Sequence, residues 1–426
     1  MSMPQTSYLF RKTPGLHGSL QVPAAKNSVL PLLAAALLCE DCVRLRRIPA
    51  LADVTASCGI LTGLGRPALW QGGDLVIEPQ VLQSSLLAPH WMERMRSGVF
   101  YLAPVLAITG RVEFCMPGGC DLGSRPVDIH LEGLCRMGAV CEQHGGCMVL
   151  RAPKGLSGCN FALRFPSVGA TETLLMAATA AEGTTRLDNA AVEPEVLDLV
   201  RFLNACGGCV RSLPGRRFVI RGVGRLHGCS FQPAADRIWC ATVLCAAAGC
   251  GGGVELTGID PETLSGLPQL LRRAGCSVET SADAVRLHSD ARLQGIGPVR
   301  TAPYPGFATD MAPLLAAALL RARGTTTICD TIFTNRFACA QGFAALGAPV
   351  RTECNCITVG CPAGTALPQL RGTTLTAKDL RGGAALAIAA LQAEGESRLQ
   401  GVEYIRRGYA DLPGALGALG AQVYGW

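Results

Sequence analysis

Cys120 lies in a stretch whose composition favours chemistry over packing. The stretch 111–130, RVEFCMPGGCDLGSRPVDIH, begins as a strand, turns through Pro and Gly, and places this thiol five residues before Arg125. The thiolate is the reactive form of cysteine, and a nearby guanidinium lowers the pKa of a thiol. A cysteine in a glycine-rich loop is by itself more often inert. Whether Cys120, at this distance from Arg125, serves as an acid or nucleophile depends on what the rest of the chain is.

Three other charged residues stand where otherwise apolar helices are expected to begin. Lys26 is the one charge in AAKNS, Arg381 lies between KDL and GGAA, and Asp310 in GFATDM precedes MAPLLAAALL. Helix N-termini bind anions, and arginine offers a fork of donors to phosphate or carboxylate. Asp310 could also cap its helix, and that role is compatible with a role in chemistry. Taken singly, Arg381 could also be an ordinary surface arginine.

Composition narrows the class of protein. The 426 residues carry a formal charge of +6 without any Lys/Arg-rich run, and aromatic residues make up 5%, so nucleic acid is a poor candidate partner. The chain start lacks the apolar segment of a secretory signal. The longest apolar run, Val29–Leu38, is about half a membrane span. We therefore expect a cytoplasmic protein that does not bind a membrane.

The chain contains 21 cysteines. In the cytoplasm most should be reduced thiols that pack as small apolar side chains. Cys39 with Cys42, and Cys206 with Cys209, have the spacing of zinc ligands. Because the few histidines are scattered along the chain, the sequence favours buried thiols over a zinc site.

A motif that is typical of a helix end recurs six times. An apolar residue is followed by three others and then a glycine, as in LTGLGR and LCRMGA, and we expect each glycine to adopt a left-handed conformation before a short strand. The six glycines are Gly65, Gly138, Gly207, Gly275, Gly347 and Gly420.

An Ala/Leu-rich helix precedes each of these motifs, as in APLLAAALL. Such helices are apolar on nearly every face and must be enclosed. We therefore predict an α/β fold with central helices, outer sheets and two domains of three repeats each. The expected division gives residues 26–230 to the N-terminal domain and 231–426 to the C-terminal domain, with residues 1–25 packing on the latter.

Seven stretches, in chain order, are similar to one family of enzymes. They are LHGSLQVPAAKNSVLPLLAAALL, PGGCDLGSRPVDIH, PSVGATETLLMAATAAEGTT, NAAVEPEVLDLVRFL, PYPGFATDM, IFTNRF and KDLRGGAAL. On these motifs the chain resembles the UDP-N-acetylglucosamine 1-carboxyvinyltransferases, enolpyruvyl transferases that open bacterial peptidoglycan synthesis. The 5-enolpyruvylshikimate-3-phosphate synthases share the fold but not the cysteine loop. The resemblance implies two inside-out α/β barrel domains built from six βα repeats.

The resemblance also implies a reaction. An enolpyruvyl group passes from phosphoenolpyruvate to the 3-hydroxyl of UDP-N-acetylglucosamine, and phosphate is released by addition and elimination without a metal or other cofactor. Cys120 matches the thiol that protonates C3 of phosphoenolpyruvate and can form a pyruvate adduct. Asp310 matches the base at the sugar hydroxyl. Lys26 and Arg381 match the other two catalytic residues.

The substrate-binding residues follow from the same motifs. They are Lys26, Asn27, Arg96, Arg125, Pro126, Val127, Asp128, Ile129, Ser167, Val168, Gly169, Asp310, Ile332, Arg336 and Arg381. Backbone donors of residues 167–169, expected just before a helix that begins near Thr171, would suit a diphosphate.

The chain departs from the family pattern at several positions associated with closure. Trp239 and Cys240 replace polar residues beside Arg237, Thr334 replaces a carboxylate, Ala52 a basic residue and Val192 an arginine. These changes bear on the rate of turnover more than on the type of reaction. They leave open the alternative that the chain is a non-catalytic paralogue that binds UDP-N-acetylglucosamine. A 5-enolpyruvylshikimate-3-phosphate synthase is a less favoured alternative. The oligomeric state stays open.

Overall fold

The structure, a computed structural model, describes residues 7–116, 127–144 and 147–425. Three residues of the predicted site, Cys120, Arg125 and Pro126, lie outside the described residues. The strands are β1 (Ser7–Arg11), β2 (Leu16–Gln21), β3 (Val43–Leu45), β4 (Ala68–Gln71), β5 (Asp74–Ile77), β6 (Leu86–Leu87), β7 (Arg111–Phe114), β8 (Val140–His144), β9 (Cys147–Arg151), β10 (Asn160–Ala162), β11 (Thr184–Asp188), β12 (Cys209–Leu213), β13 (Arg217–Arg221), β14 (Ser230–Phe231), β15 (Gly252–Thr257), β16 (Ser277–Thr280), β17 (Ala284–Ser289), β18 (Gly297–Arg300), β19 (Thr326–Cys329), β20 (Arg351–Glu353), β21 (Cys356–Val359), β22 (Thr374–Thr376), β23 (Glu396–Gln400) and β24 (Val423–Gly425).

Helices alternate with these strands. The α-helices are α1 (Lys26–Ala35), α2 (Ala52–Gly63), α3 (Pro89–Arg94), α4 (Leu102–Thr109), α5 (Asp128–Arg136), α6 (Val168–Ala180), α7 (Pro194–Ala205), α8 (Arg237–Cys250), α9 (Leu267–Arg273), α10 (Ala312–Ala318), α11 (Ala340–Ala345), α12 (Leu380–Ala390), α13 (Val402–Arg406) and α14 (Leu412–Ala418). Short 3₁₀ turns cover Ala36–Leu38, Arg96–Tyr101, Pro261–Leu264 and Thr309–Met311. Among the described residues, none of these helices combines the length and apolar character that a membrane span requires.

The described strands form six four-stranded sheets with one shared design. The orders are β14-β3-β5-β4, β6-β7-β9-β8, β10-β11-β13-β12, β16-β17-β15-β2, β18-β19-β21-β20 and β22-β23-β1-β24. In each sheet one edge pair is parallel and the other two pairs are antiparallel. This regularity confirms the sixfold repeat.

The chain divides into two compact units, each holding three of the sheets. The N-terminal unit contains the described residues of 24–234, and the C-terminal unit contains 7–23 and 235–425. Strands β1 and β2 therefore belong to the C-terminal unit. Strand β1 pairs with β23 and β24, and β2 pairs with β15.

The apolar helices are enclosed, as their sequences predict. Every residue of α8 is buried, and α8, α10 and α12 pack against one another inside the C-terminal unit. In the N-terminal unit α4 packs on α6, and the 3₁₀ turn before α4 contacts both α1 and α6. Alternating strands such as β11 bury one face and expose the other. Helices inside and sheets outside confirm the predicted fold class.

The repeat glycines end helices in the predicted conformation. All six have positive φ, from 85° at Gly65 to 105° at Gly275. A side chain is strained there, so glycine is the favoured residue after each helix. A strand follows within a few residues in every repeat, for example β4 after Gly65.

Most described cysteines are free thiols, as the sequence predicts. Eighteen are free, while Cys329 and Cys356 form a disulfide across β19 and β21.

Candidate active site

Asp310 lies in the 3₁₀ turn before α10, and two arginines hold its carboxylate. Arg336 Nη2 donates to Oδ1 at 2.8 Å, and Arg381 Nε donates to Oδ2 at 3.2 Å. The Asp310 side chain keeps 27% of its surface exposed, whereas those of Arg336 and Arg381 are almost fully buried. The expected alternative, that Asp310 caps α10, is wrong, because Met311 occupies the N-cap position and no side-chain bond caps the helix.

Asp330 and Thr309 position Arg336. The Arg336 Nε donates to the Thr309 hydroxyl at 2.9 Å, and that hydroxyl donates to the Asp330 carboxylate. Asp330 also accepts from the backbone N–H groups of Ile332 and Phe333 at 2.8 and 2.7 Å. The loop that follows β19 is therefore held to the turn that carries Asp310.

Arg381 is fixed at the start of α12. Asp379 caps this helix by accepting from the backbone N–H groups of Arg381 and Gly382. The Arg381 guanidinium donates to the Tyr409 hydroxyl at 3.3 Å, and that hydroxyl lies 2.7 Å from the Thr242 hydroxyl. Arg381 is therefore held between a carboxylate and a phenol.

The charge balance at Asp310 favours the ionised carboxylate. Burial alone would raise the pKa of Asp310, but the positive charges of Arg381 and Arg336 outweigh it, and Arg237 adds to them. The pKa is held well below its ordinary range. Three arginines thus act on one carboxylate, while Asp330 beside Arg336 and Asp236 near Arg381 offset part of their positive charge.

Lys26 is the first residue of α1 in the N-terminal unit. Its ammonium lies 2.7 Å from the Asp53 carboxylate, and both side chains are almost buried. The neighbouring Asn27 is half-buried. The first N–H groups of α1 point toward the same end of the helix, and no side chain caps them. This end can accept an anion beside the Lys26 ammonium.

His130 on α5 contacts Gly169 and lies close enough to Arg96 and Asp128 to feel their charges; all three are predicted site residues. A Cβ added at Gly169 would lie 3.0 Å from His130 Nε2, so the imidazole packs directly on the backbone that begins α6. Burial lowers the pKa of His130 to about 4, and the positive charge of Arg96 adds to this effect, while Asp128 opposes it. The imidazole is therefore neutral at physiological pH.

The low pKa of His130 predicts a pH-dependent stability. The unfolded chain binds a proton at His130 below about pH 6.5, while the folded protein binds it only near pH 4. The free energy of unfolding should fall by about 1.4 kcal/mol per pH unit as the pH drops through this window. Urea unfolding of wild type and His130→Asn between these pH values measures it. The slope should flatten in His130→Asn but not in His288→Asn, whose side chain is exposed on β17. Equal slopes in all three proteins would contradict the assignment.

The other predicted residues of the N-terminal unit are placed as follows. Helix α6 begins at Val168, three residues earlier than expected, because the Ser167 hydroxyl accepts from the Ala170 backbone N–H and caps it. Val127 and Ile129 are buried, and Asp128 pairs with Arg164.

The residues that depart from the family pattern are placed as follows. Trp239 and Cys240 are buried in the first turn of α8, Thr334 is exposed, and Ala52 begins α2 with its side chain exposed. Val192 packs against the core of its unit.

Several residues of the candidate site were not expected from the sequence, among them Asp53, His130, Arg237 and Tyr409. Arg237 had a signal, because DRI, like DLR, places an aspartate cap and an arginine at the start of an apolar helix. Arg237 Nη1 donates to Ser265 at 3.2 Å. Asp53 and Tyr409 gave no comparable signal, since their roles depend on contacts distant in the chain.

Comparisons with known proteins agree with one another along the chain. A family model described as EPSP synthase (3-phosphoshikimate 1-carboxyvinyltransferase) matches residues 10–416. UDP-N-acetylglucosamine 1-carboxyvinyltransferase 2 of Caldanaerobacter subterraneus subsp. tengcongensis is 36% identical over 96% of both chains. UDP-N-acetylglucosamine 1-carboxyvinyltransferase 1 of Symbiobacterium thermophilum is 40% identical over 96% of this chain and 92% of its own.

Two solved structures share the fold. The enolpyruvyl transferase NikO from Streptomyces tendae superposes with a TM-score of 0.87 and 25% identity, covering 99% of each chain. EPSP synthase from Acinetobacter baumannii superposes with a TM-score of 0.76 and 20% identity over 98% of this chain and 99% of its own.

Proposed function

This chain belongs to the EPSP synthase family of enolpyruvyl transferases, and from that membership we propose that it transfers the enolpyruvyl group of phosphoenolpyruvate to the 3-hydroxyl of UDP-N-acetylglucosamine. Phosphate is the second product, and the reaction serves peptidoglycan synthesis in the cytoplasm. The observation that carries the proposal is the identity of 36% and 40% to two enzymes of that name over nearly the whole chain.

The proposed reaction needs an acid, a base and cations. Addition begins when C3 of phosphoenolpyruvate gains a proton and C2, which becomes electron-poor, bonds to the sugar oxygen. The hydroxyl proton leaves to a base, and a tetrahedral intermediate forms. Elimination then removes a proton from C3 and releases phosphate. We assign the acid to Cys120 and the base to Asp310.

The surroundings of Asp310 support its assignment as the base. The carboxylate is ionised and partly exposed, so it can accept a proton from a hydroxyl. The positive charges of Arg381 and Arg336 make Asp310 a weak base as long as no anionic ligand shares them. A phosphate or carboxylate bound at Arg381 would share that positive charge and raise the pKa of Asp310. Binding of phosphoenolpyruvate would in this way increase the basicity that the next step needs.

Lys26 and the arginines supply positive charge for the anions. Lys26 is paired with Asp53 at an uncapped helix start, where a phosphate would receive both an ammonium and backbone donors. The buried guanidiniums of Arg381 and Arg336 have fixed orientations, so they lose little freedom when an anion binds. We propose these groups as ligands of the phosphate and carboxylate of phosphoenolpyruvate.

Ser167, Val168 and Gly169 are proposed to bind the nucleotide sugar. These residues begin α6, a helix of 13 residues, and its first N–H groups provide donors for a diphosphate. Packing of His130 against Gly169 keeps this backbone in place. Because the imidazole is neutral at physiological pH, it adds no positive charge of its own there.

A phosphate-release assay tests the proposed function. The protein should release phosphate from phosphoenolpyruvate when UDP-N-acetylglucosamine is present and release none with shikimate 3-phosphate. Release with shikimate 3-phosphate would instead assign the shikimate reaction. Binding of UDP-N-acetylglucosamine without phosphate release would identify a non-catalytic paralogue and overturn the proposal.

A further inference from the structure

Two cysteine pairs occupy equivalent positions in two of the repeated sheets. In β18-β19-β21-β20, Cys329 follows buried Ile328 and lies opposite Cys356. In β6-β7-β9-β8, Cys115 follows buried Phe114, and the register that pairs Phe114 with Met148 places Cys115 opposite Cys147. Both pairs thus stand at the carboxyl end of the second strand in the sheet order.

The two pairs differ in covalent state but little in geometry. Cys329 and Cys356 are disulfide-bonded, whereas the sulfur atoms of Cys115 and Cys147 lie 3.0 Å apart as free thiols. A disulfide has an S–S distance of about 2.0 Å, so a shift on the order of 1 Å would close the second pair. All four cysteines are half-buried, which leaves them within reach of a small reagent.

The equivalent positions in other repeats hold residues that cannot form such a bond. Thr257 lies opposite Ala284 at the end of β15, and Gln400 lies opposite Ser7 at the end of β23. The fold therefore does not require cysteine there. The cysteines occur in the two sheets whose second strands lead directly to residues of the proposed function, Cys120 after β7 and Asp330 to Arg336 after β19.

We propose that Cys115 and Cys147 form a reversible disulfide, the counterpart of the bond between Cys329 and Cys356. With a small disulfide such as oxidised glutathione, the Cys115 thiolate attacks one glutathione sulfur and releases a first glutathione thiol. The Cys147 thiolate then attacks the Cys115 sulfur and releases the second. The protein loses two hydrogens and two electrons, and the reagent gains them. A dithiol reverses both steps.

The surroundings of Cys115 set the conditions for the reaction. The hydrogen bond to Cys147 and burial raise the pKa of Cys115 to about 11, and the negative charges of Glu93 and Glu113 raise it further. The thiolate is therefore scarce at neutral pH, and the test is best run near pH 9, where more of it is present.

Mass spectrometry of the full-length protein tests the bond. The reduced protein is treated with oxidised glutathione, the remaining thiols are alkylated, and tryptic peptides are fragmented to identify linked cysteines. A link between Cys115 and Cys147 is expected in wild type and in the control Cys141→Ser, whose cysteine lies on the neighbouring strand β8. The link should be absent from Cys115→Ser and Cys147→Ser. Recovery of alkylated Cys115, or its linkage to Cys120 or Cys141, would overturn the proposal.

A second readout rests on the proposed function. Since β7 leads to Cys120, closing the bond should lower turnover several-fold, and dithiothreitol should restore it. Cys147→Ser should keep its turnover under the same treatment. Equal loss in that variant would trace inactivation to another thiol and overturn the effect on turnover. Absence of turnover in the reduced protein would contradict the proposed function alone, because the peptide link is measured independently.

Discussion

Asp310→Asn is expected to lower kcat by about 10²–10⁴-fold, because the amide cannot take the hydroxyl proton. The substitution keeps the shape of the side chain and an oxygen that can accept from an arginine. The KM for UDP-N-acetylglucosamine should therefore change much less than kcat. Initial-rate measurements of phosphate release at varied concentrations of each substrate give both constants.

A matched control separates chemistry from folding. Asp411→Asn alters a carboxylate that caps α14, and the asparagine can still accept from the Gly414 backbone N–H. Its kcat should stay near that of wild type. The Tm of Asp310→Asn must also be measured, since Arg336 and Arg381 lose a charged partner. Equal losses in kcat and in nucleotide-sugar affinity would make Asp310 a structural residue.

Cys120→Ala should leave very little turnover, whereas Cys120→Asp should retain a measurable part of it. A carboxylic acid can still deliver a proton to C3, and a methyl group cannot. Loss on the order of 10²–10⁴-fold in Cys120→Ala is expected for a missing general acid. Single-turnover phosphate release compares the variants. Similar rates in Cys120→Ala and wild type would remove this residue from the mechanism.

Selective labelling gives an independent measurement of the same thiol. An epoxide that carries a phosphonate should alkylate Cys120, because the phosphonate resembles the phosphate of the proposed substrate and its binding would hold the reactive carbon near the thiol. UDP-N-acetylglucosamine should increase the rate of labelling. Mass spectrometry locates the label. Alkylation spread over many of the 21 cysteines, or a rate unaffected by the nucleotide sugar, would contradict the prediction.

The sequence predicted the repeats because they depend on local signals. The glycine after each helix requires a positive φ, and an Ala/Leu run with no polar face must be enclosed. Both signals lie within about twenty residues of chain. The start of α6 was placed three residues late because Ser167 was not recognised as its cap.

The partners within the site could not be predicted in the same way. Asp310 contacts Arg336 and Arg381, which lie 26 and 71 residues further along the chain. A helix cap is a role that neighbouring residues determine, and it was considered for Asp310. The Asp310 carboxylate instead pairs with the two arginines. Pairing of Cys329 with Cys356 depends likewise on strand register, which the spacing of cysteines does not determine.

The first two strands have a consequence for synthesis on the ribosome. Strand β1 pairs with β23, so Ser7 lies opposite Gln400, and β2 pairs with β15, whose first residue is Gly252. The sheet that contains β2 therefore cannot be completed before β17, which ends at Ser289, has been translated, and the sheet that contains β1 must wait for β24, which ends at Gly425. The N-terminal unit is a continuous segment in between and can fold while synthesis continues. Contacts between residues so far apart in the chain slow folding. During synthesis β1 and β2 therefore lack their partner strands, and a chaperone could cover their unpaired backbone groups.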